Sequence, residues 1–334
     1  MESFTWRDGE RLIRFGRGTL AEAPELLDHS GFGEFTLATT ERAQEEAPEL
    51  AERAARVLHV PAGKVDELSA ALLPQAGERP VVALGGGRVI DTAKAIAGAS
   101  GQPVAALPTT LSGAELTPFH RTPKGVEDAR LVRPALVLAD PALMASQPPA
   151  QLAASAMNAL AHGMESLYTP FANPVSELSA LCGAELIAEG LDGDPPGRDE
   201  LALGALLTAY ASASAGIAVH HALCQTLVRT AGSPHAETNA VMLPHTARLM
   251  TGRAPAALGA LAHALGASAG GPDAASERIA GLSARCGYTS LSALGVTEDQ
   301  LPQVTTTVLA NPAYRNTPQA PAEPELLALL QSAL

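Results

Sequence analysis

Short apolar runs alternate with alanine-rich amphipathic segments through the first half of the chain. The predicted strands are Arg11–Phe15, 35–39, 81–84, 104–107 and 135–138, and the predicted helices include 43–57 and 91–99. Strands that alternate with helices along a chain are typical of a parallel sheet covered by helices on both faces. The first half is therefore predicted to be an α/β domain built on a parallel sheet.

The β pattern ends near Asp140-Pro141, and long helical runs broken by proline and glycine continue from residue 149. We therefore predict an α/β domain over residues 1–148 and an all-α domain over residues 149–334. A chain of 334 residues suits two domains of roughly 150 residues each. Within the second domain, residues 190–198 and 270–273 are predicted to be surface loops.

Residues 201–219 carry no charge and match a membrane span in length. They are rich in alanine, serine, glycine and threonine rather than in leucine and isoleucine, and two histidines follow at once. This composition favours a helix buried in a protein core. We expect no association with a membrane.

Composition and charge narrow the class of protein. With 46% hydrophobic and 17% charged residues the chain is typical of a folded globular protein. A net charge of −13 argues against nucleic acid as a partner, because phosphate binding needs a basic face. Cys182, Cys224 and Cys286 are widely spaced and form no CxxC pair, which indicates neither a disulfide framework nor a zinc ribbon. The N-terminus lacks the apolar core of a signal peptide, so we expect a cytoplasmic protein with reduced thiols.

Residues 81–94 have the pattern of a strand, a glycine turn and a helix. Gly85, Gly86 and Gly87 would let the backbone approach a pyrophosphate, and the helix N-terminus would offer free N–H groups. Asp91 and Lys94 follow on this helix and are predicted to serve the same cofactor site. The alternative is an ordinary tight turn, with Asp91 a favourable first-turn acid and Lys94 a solvated side chain.

A second polar segment follows the next strand, over residues 107–117. Thr109, Thr110 and Ser112 supply hydroxyl groups at the carboxyl end of a parallel strand, where such sheets bind ligands. Two such segments at successive strand ends favour a bound dinucleotide over turn chemistry alone. Thr39 ends an earlier strand and is assigned to the same cofactor site. Glu41 and Arg42 follow it, and an acid and an arginine favour opposite cofactors, so NADH and NADPH both stay open.

The helical domain contains a candidate cluster of polar residues. Asn158 and His162 lie four residues apart in one helical run, so they project from the same face. His221 and His235 lie fourteen residues apart, across a helix end and a loop. Any one of these is more often a hydrogen-bonded core residue, whereas gathered imidazoles serve as metal ligands or proton-transfer groups. The sequence predicts the residues of a candidate site but does not show that they lie close together in the fold.

Five strings of the sequence resemble the iron-containing alcohol dehydrogenase family, in the same order and spacing. They are GGGRVIDTAKAIA, LPTTLSGAELT, AMNALAHGMESLY, HHALCQTL and SPHAETNAVMLPH. The resemblance covers essentially the whole chain and is greatest to the maleylacetate reductase branch. Asn158, the pair His220-His221 before Ala-Leu-Cys, the run at 234–238 and the tail at 310–316 support that branch.

The resemblance implies a dehydroquinate-synthase-like fold, with a Rossmann-like domain that binds NADH or NADPH and a helical domain. It also implies a small-molecule substrate in the cleft between them and a homodimer. The family's metal ligands fall on Asn158, His162, His221 and His235. An amide is a poorer ligand than the aspartate of the metal-dependent branch, so we expect no tightly bound iron or zinc.

The implied reaction works without a metal. It requires a hydride from C4 of the nicotinamide, a proton donor and positive charge near the developing anion. His221 and His235 would polarise the acceptor oxygen or donate the proton, with His162 and Asn158 orienting it. His220 is an alternative donor, unless it packs behind the site. Arg121, with His120 beside it, is a candidate for binding the substrate carboxylate.

The predicted activity is reduction of maleylacetate or a related small oxo-acid or enoate. The alternatives are a metal-dependent alcohol dehydrogenase or aldehyde reductase, a non-redox lyase of the dehydroquinate synthase type, and a catalytically idle homologue. Three positions depart from the family pattern: Arg88 where serine is usual, Gln225 where the branch has histidine, and residues 315–321, which lack an expected arginine. These departures leave the exact substrate open.

Overall fold

The computed structural model describes residues 1–267 and 271–334. The chain forms two compact units, residues 1–147 (unit 1) and residues 148–334 (unit 2). The division lies one residue from the boundary expected from the sequence. Residue 270, part of the predicted loop 270–273, lies outside the described residues.

Unit 1 contains a seven-stranded sheet. Its strands are Phe4–Asp8 (β1), Arg11–Phe15 (β2), Thr36–Thr39 (β3), Arg56–His59 (β4), Val81–Gly85 (β5), Val104–Pro108 (β6) and Leu136–Ala139 (β7). The spatial order is β1-β2-β7-β6-β5-β3-β4. Strand β1 is antiparallel to β2, and the other neighbours pair in parallel. The predicted parallel sheet is therefore confirmed, with one antiparallel strand at its edge.

Helices cover both faces of this sheet. Successive side chains of a strand point to opposite faces, so each buried strand contributes to two cores. Val82 and Leu84 of β5 join a cluster on one face, whereas Val81 and Ala83 join a separate cluster on the other. The helices of unit 1 are Thr19–His29 (α1), Glu41–Glu46 (α2), Pro48–Arg53 (α3), Val65–Ala76 (α4), Gly87–Ser100 (α5) and Pro141–Met144 (α6). The sheet is thus buried on both sides, which explains its continuous apolar strands.

The predicted helix at 43–57 is wrong. The chain forms the short helices α2 and α3, separated at Ala47 and restarted at Pro48, and then strand β4. Proline suits the first turn of a helix, where its missing N–H costs nothing. Strand β4 has exposed or half-buried residues at three of its four positions, so its sequence carries little apolar signal. Its parallel pairing with β3 decides its conformation.

Unit 2 is helical, and its described residues contain no strand. Its α-helices are Pro149–Ser166 (α7), Pro174–Asp192 (α8), Arg198–Ala215 (α9), Val219–Ala231 (α10), His235–Thr251 (α11), Pro255–Ala264 (α12), Pro272–Ala284 (α13), Leu301–Leu309 (α14) and Glu323–Ser332 (α15). Short 3-10 turns occupy Ser292–Leu294, Glu298–Gln300 and Pro312–Asn316. The predicted succession of an α/β domain and an all-α domain is confirmed.

Helix α7 lies at the centre of unit 2, and every residue from 152 to 166 is buried. Glycines allow α7, α8 and α9 to approach closely. A Cβ at Gly163 would lie 2.9 Å from Thr208 Cγ2, and one at Gly183 would lie 2.8 Å from the carbonyl oxygen of Gly204. Helix α7 therefore holds its polar residues in a rigid, water-excluded setting.

The uncharged segment 201–219 is not one helix. Helix α9 ends at Ala215, Gly216 adopts a φ of 80°, and α10 begins at Val219. In the described residues no single helix is long and apolar enough to cross a membrane. Helices α9 and α10 meet the length and composition criteria only as a pair, bent by 101°.

Gly98 tests how closely α5 packs against the backbone at Arg130. A Cβ there would lie 2.0 Å from the carbonyl oxygen of Arg130, a backbone atom that cannot move aside easily. We expect Gly98→Ala to lower the free energy of unfolding by about 1–3 kcal/mol, measured by denaturant titration. Gly259, inside α12, has no atom within 4 Å of its added Cβ. Gly259→Ala should instead stabilise by roughly 0.5–1 kcal/mol, and equal effects of the two changes would contradict the packing described.

Candidate active site

The glycine turn, residues 85–87, links strand β5 to helix α5. Its glycines do not have positive φ angles, so close packing rather than backbone freedom requires them. A Cβ at Gly86 would lie 2.9 Å from Thr110 Cγ2, and one at Gly87 would lie 3.0 Å from Ser112 Cβ. The two polar segments singled out in the sequence are therefore in direct contact.

Helix α5 begins without a side-chain cap, and its first turn contains no acidic residue. Its first N–H groups are thus available to an anion, and the helix dipole favours negative charge at this end. The end of α5 therefore fits a nucleotide phosphate in charge.

Strand ends bring the other predicted cofactor residues to the same edge. Strand β5 lies between β3 and β6, and Thr39 pairs with Leu84 while Pro108 pairs with Gly85. The N–H of Thr109 donates to the carbonyl oxygen of Gly85 at 3.0 Å. Thr39, the glycine turn and Thr109 therefore share one edge of the sheet, and their cofactor role stays a prediction.

Lys94 was predicted either to serve the cofactor site or to be a solvated side chain. The structure supports neither prediction, because the side chain is buried and its ammonium group is bonded within the protein. Its side chain is fully buried. Its ammonium group donates to Asp91 Oδ1 at 2.8 Å and to the carbonyl oxygens of Ala114 and Phe119, both at 2.9 Å. All three N–H bonds are thus used. Lys94 and Asp91 hold the threonine loop, defined here as residues 109–119, against α5.

A second cation holds the threonine loop from the sheet. Arg11 of β2 donates to the carbonyl oxygens of Glu115 and Leu116, each at 3.4 Å. The Glu115 side chain is fully buried, and its carboxyl oxygens have no hydrogen-bond partner. Burial raises the pKa of Glu115 to about 7, against the opposing effect of nearby Lys94. The sequence pattern indicated none of these roles for Arg11 or Glu115.

His120 contacts the backbone on both sides of its ring. Its Nε2 accepts from the N–H of Val132 at 3.0 Å, so the proton of a neutral ring lies on Nδ1, which donates to the carbonyl oxygen of Arg121 at 3.0 Å. Burial lowers the pKa of His120, consistent with a neutral ring. These bonds occupy both nitrogens, which argues against the predicted substrate contact. Arg121 itself is exposed, and its substrate role stays a prediction.

The candidate chemical site in unit 2 starts from Asn158 and His162, one turn apart on α7 and both buried. The His162 ring stacks on the ring of His221 from α10, with centroids 4.5 Å apart and planes 5° apart. Three buried atoms of this group have no hydrogen-bond partner: Asn158 Oδ1, His162 Nδ1 and His221 Nε2. Such unpaired atoms are costly in a core, so this group is the candidate ligand site of unit 2.

Glu165 is the functional candidate that the sequence reasoning missed. It lies on α7, three residues after His162, with a fully buried side chain. Its Oε2 is 2.6 Å from His221 Nδ1, and its Oε1 accepts from the N–H of His220 at 2.7 Å. Burial raises the pKa of Glu165, whereas His220 and neighbouring backbone N–H groups oppose that shift. Asn158, His162 and Glu165 are separated by four and then three residues, a spacing that indicates one face of a helix.

His220 does not face the same site. Its Nδ1 lies 2.8 Å from Thr246 Oγ1 and its Nε2 lies 2.9 Å from Asn239 Oδ1. Asn239 in turn donates to the carbonyl oxygen of His235 at 2.8 Å. The alternative in which His220 is the proton donor is therefore corrected, because both ring nitrogens are bonded within the core. His220 packs behind the site and ties α10 to the start of α11.

His235 is the first residue of α11 and is exposed. It lies close enough to His162 and His221 to help lower their pKa values, after the larger effect of burial. The pKa of His221 falls to about 3, and that of His220 to about 3 as well. The buried imidazoles are therefore neutral at pH 7, with lone pairs available. The structure brings His162, His221 and His235 into one group and leaves His220 behind it.

The donor atoms of this group match a divalent cation in type but not in charge. The unpaired Asn158 Oδ1, His162 Nδ1 and His221 Nε2 are donors of types that bind divalent cations. None of the three carries charge, and the described residues contain no group of three or more His, Cys, Asp or Glu side chains placed to hold an ion. The donors fit a cation in type, without the carboxylate that would bind it firmly.

Comparison with known proteins identifies the family. A model described as iron-containing alcohol dehydrogenase matches residues 14–148, and one described as Fe-containing alcohol dehydrogenase family, C-terminal, matches residues 152–334. Maleylacetate reductase 1 of Rhodococcus opacus is 33% identical, over 99% of this chain and 96% of its own. The comparisons define an oxidoreductase. The chain belongs to the iron-containing alcohol dehydrogenase family, which confirms the resemblance found in the sequence.

Solved structures agree with this assignment. The crystal structure of maleylacetate reductase from Agrobacterium tumefaciens has a TM-score of 0.84 and 30% identity, covering 100% of this chain and 99% of that one. A putative alcohol dehydrogenase from Ralstonia eutropha has a TM-score of 0.86 and 29% identity, covering 100% and 98%. The family description names iron, so the comparisons do not support the expectation that a metal is absent.

Glu115 gives the threonine loop a measurable pH dependence. Its pKa is about 7 in the folded protein and near 4.5 in an unfolded chain, so the folded state binds more protons between these values. The free energy of unfolding should therefore fall as pH rises through this window. Glu115→Gln should remove up to about 3 kcal/mol of that fall, measured by urea titration at about pH 5 and pH 8. The exposed Glu10→Gln is the control, and parallel pH profiles of both variants would count against the assignment.

Asn158 should set the affinity of the histidine group for cations. Asn158→Asp adds a negative charge among neutral donors, so we expect divalent zinc to bind on the order of tenfold tighter or more. Equilibrium dialysis with metal analysis measures this change. Asn173→Asp adds the same charge at the N-cap of α8, where either residue caps well. Equal zinc affinity in the two variants would show that Asn158 does not face a cation site.

Proposed function

We propose that this protein is an NAD(P)H-dependent reductase of maleylacetate or a related small oxo-acid or enoate. The observation that carries the proposal is the match to maleylacetate reductases along the whole chain, at 33% identity over 99% of its length. Asn158 and the His220-His221 pair agree with that branch. Homodimeric assembly stays a prediction.

In this proposal, residues of unit 1 bind the cofactor. The uncapped first turn of α5 offers N–H groups to the cofactor phosphates, and the hydroxyls of Thr110 and Ser112 lie against the glycine turn. Lys94 and Arg11 act on this site through the backbone of the threonine loop. Arg42 forms an exposed ion pair with Glu46, at 3.2 Å, so it stays able to bind a 2′-phosphate, and NADH and NADPH stay open.

In this proposal, the histidine group of unit 2 (His162, His221 and His235) carries out the reaction. When bound, a reduced nicotinamide supplies a hydride. A divalent cation, where one binds, would be held by Asn158, His162 and His221 and would polarise the acceptor oxygen. The buried rings of His162 and His221 are neutral, so their unpaired nitrogens can hold a cation or accept a hydrogen bond from an oxygen that carries a proton. His235 is exposed, so it can exchange a proton with water and deliver it to the reduced substrate. The balance is one hydride and one proton added to the substrate.

A metal-dependent alcohol dehydrogenase or aldehyde reductase is the second candidate. It is favoured by the three unpaired donor atoms at Asn158, His162 and His221, and by the similar fold of the putative alcohol dehydrogenase from Ralstonia eutropha. The two candidates differ in metal requirement and in substrate. They share the cofactor site, so both predict consumption of reduced nicotinamide.

The test is oxidation of NADH and NADPH, followed by absorbance, with maleylacetate beside simple ketones and aldehydes. Turnover of maleylacetate that survives a chelator is the expected result. Turnover of simple aldehydes alone, lost with chelator and restored by metal, would favour the second candidate. An absence of turnover with every oxo-acid would contradict the first.

His235→Ala provides the site control for this assay. Loss of the proton donor should lower kcat by roughly 10²–10⁴-fold. His263→Ala removes an exposed histidine near the end of α12 and should leave the rate unchanged. Similar rates in both variants would remove His235 from the reaction.

A further inference from the structure

The N-terminus of helix α10 is capped by a residue of another helix. Its own cap position, Ala218, provides no side-chain hydrogen bond. Glu165 of α7 fills this role, since its Oε1 accepts from the N–H of His220 at 2.7 Å and approaches the N–H of His221 at 3.4 Å. A carboxylate at this end also complements the helix dipole. One oxygen of Glu165 is thus committed to the backbone of α10.

The other oxygen is committed to a ring. Oε2 lies 2.6 Å from His221 Nδ1. The two backbone N–H groups that donate to Oε1 favour the ionised carboxylate, whose Oε2 can only accept, and this places the proton of the ring on Nδ1. Nε2 then carries a lone pair, and it is among the buried atoms without a partner.

Two further contacts restrict this ring. Its face lies against His162, with the planes only 5° apart, so rotation of the ring would disturb a stacked pair. His220 bonds to Thr246 and Asn239 and therefore does not compete for Glu165 with its own ring. His221 is held on one edge and one face, and only the Nε2 edge is left for a ligand.

We propose that Glu165 is a positioning residue that fixes His221 as the Nδ1–H tautomer and so makes Nε2 a dedicated hydrogen-bond acceptor. On the proposed function, this acceptor selects ligands whose reacting oxygen carries a proton, such as the hydroxyl of a hydroxy-acid product or an enol. It follows that the proton added in the reductive direction comes from another group. The resting His221 donates nothing at Nε2.

Glu165→Gln tests the proposal directly. The amide has one accepting oxygen, and the N–H groups of α10 can only donate, so that oxygen stays with the backbone. The amide N–H then faces His221 Nδ1, which must accept, and the ring proton moves to Nε2. We expect nitrogen-15 NMR of histidine-labelled protein to show this exchange at His221, with the resonance assigned by its loss in His221→Gln.

The reductase activity of Glu165→Gln should fall because the proton of the His221 ring has moved to Nε2. A histidine held in the wrong tautomer typically loses on the order of 10²–10⁴-fold in kcat, whereas KM for the cofactor should not change. Glu185→Gln, on the exposed side of α8, is the matched control and should alter neither spectrum nor rate. An unfolding midpoint close to that of the native protein would separate positioning from simple loss of structure.

Two results would overturn the proposal. One is a native spectrum in which His221 carries its proton on Nε2, a measurement that needs no variant. The other is an unchanged tautomer in a folded Glu165→Gln protein. Both readings are made without substrate. A tautomer exchange in a protein that turns over no oxo-acid would therefore uphold the positioning role while contradicting the proposed function.

Discussion

The carboxylate of Glu165 serves the backbone of α10 with one oxygen and the ring of His221 with the other. Its position depends on α7, which packs closely against α8 and α9 at Gly163. Burial keeps the rings of His162 and His221 neutral, and Glu165 fixes the orientation of the His221 ring. The neutral Glu165→Gln would keep one oxygen for the backbone N–H groups of α10 but would lose the acceptor that orients the ring of His221.

Unit 1 uses buried charge in a similar way. Lys94 and Arg11 do not point at a phosphate; each donates to main-chain carbonyls of the threonine loop. The loop then presents Thr110 and Ser112 to the glycine turn. A cation held inside the protein sets a backbone more precisely than one in solvent, because its competing water has been removed. In both units, buried charge holds the backbone or the side chains of the candidate site in place.

The strongest sequence patterns predicted elements well, and weak ones failed for physical reasons. The apolar run of β5 and the glycine turn after it were readable because burial on both faces requires apolar side chains throughout. Strand β4 has mostly exposed or half-buried side chains, and its neighbour β3 decides its state, so the sequence predicted a helix there. The segment 201–219 looked like one helix because composition does not reveal the turn that Gly216 makes.

The sequence by itself determined the α/β and helical halves, the glycine turn, and the face of α7 that carries Asn158 and His162, because each depends on local spacing. Only the tertiary structure decided which of the adjacent His220 and His221 enters the site. Consecutive residues on a helix point in different directions, and Glu165 meets one ring while Asn239 meets the other. The burial of Lys94 and the pairing of Glu165 join residues far apart in the chain, so no local pattern encodes them.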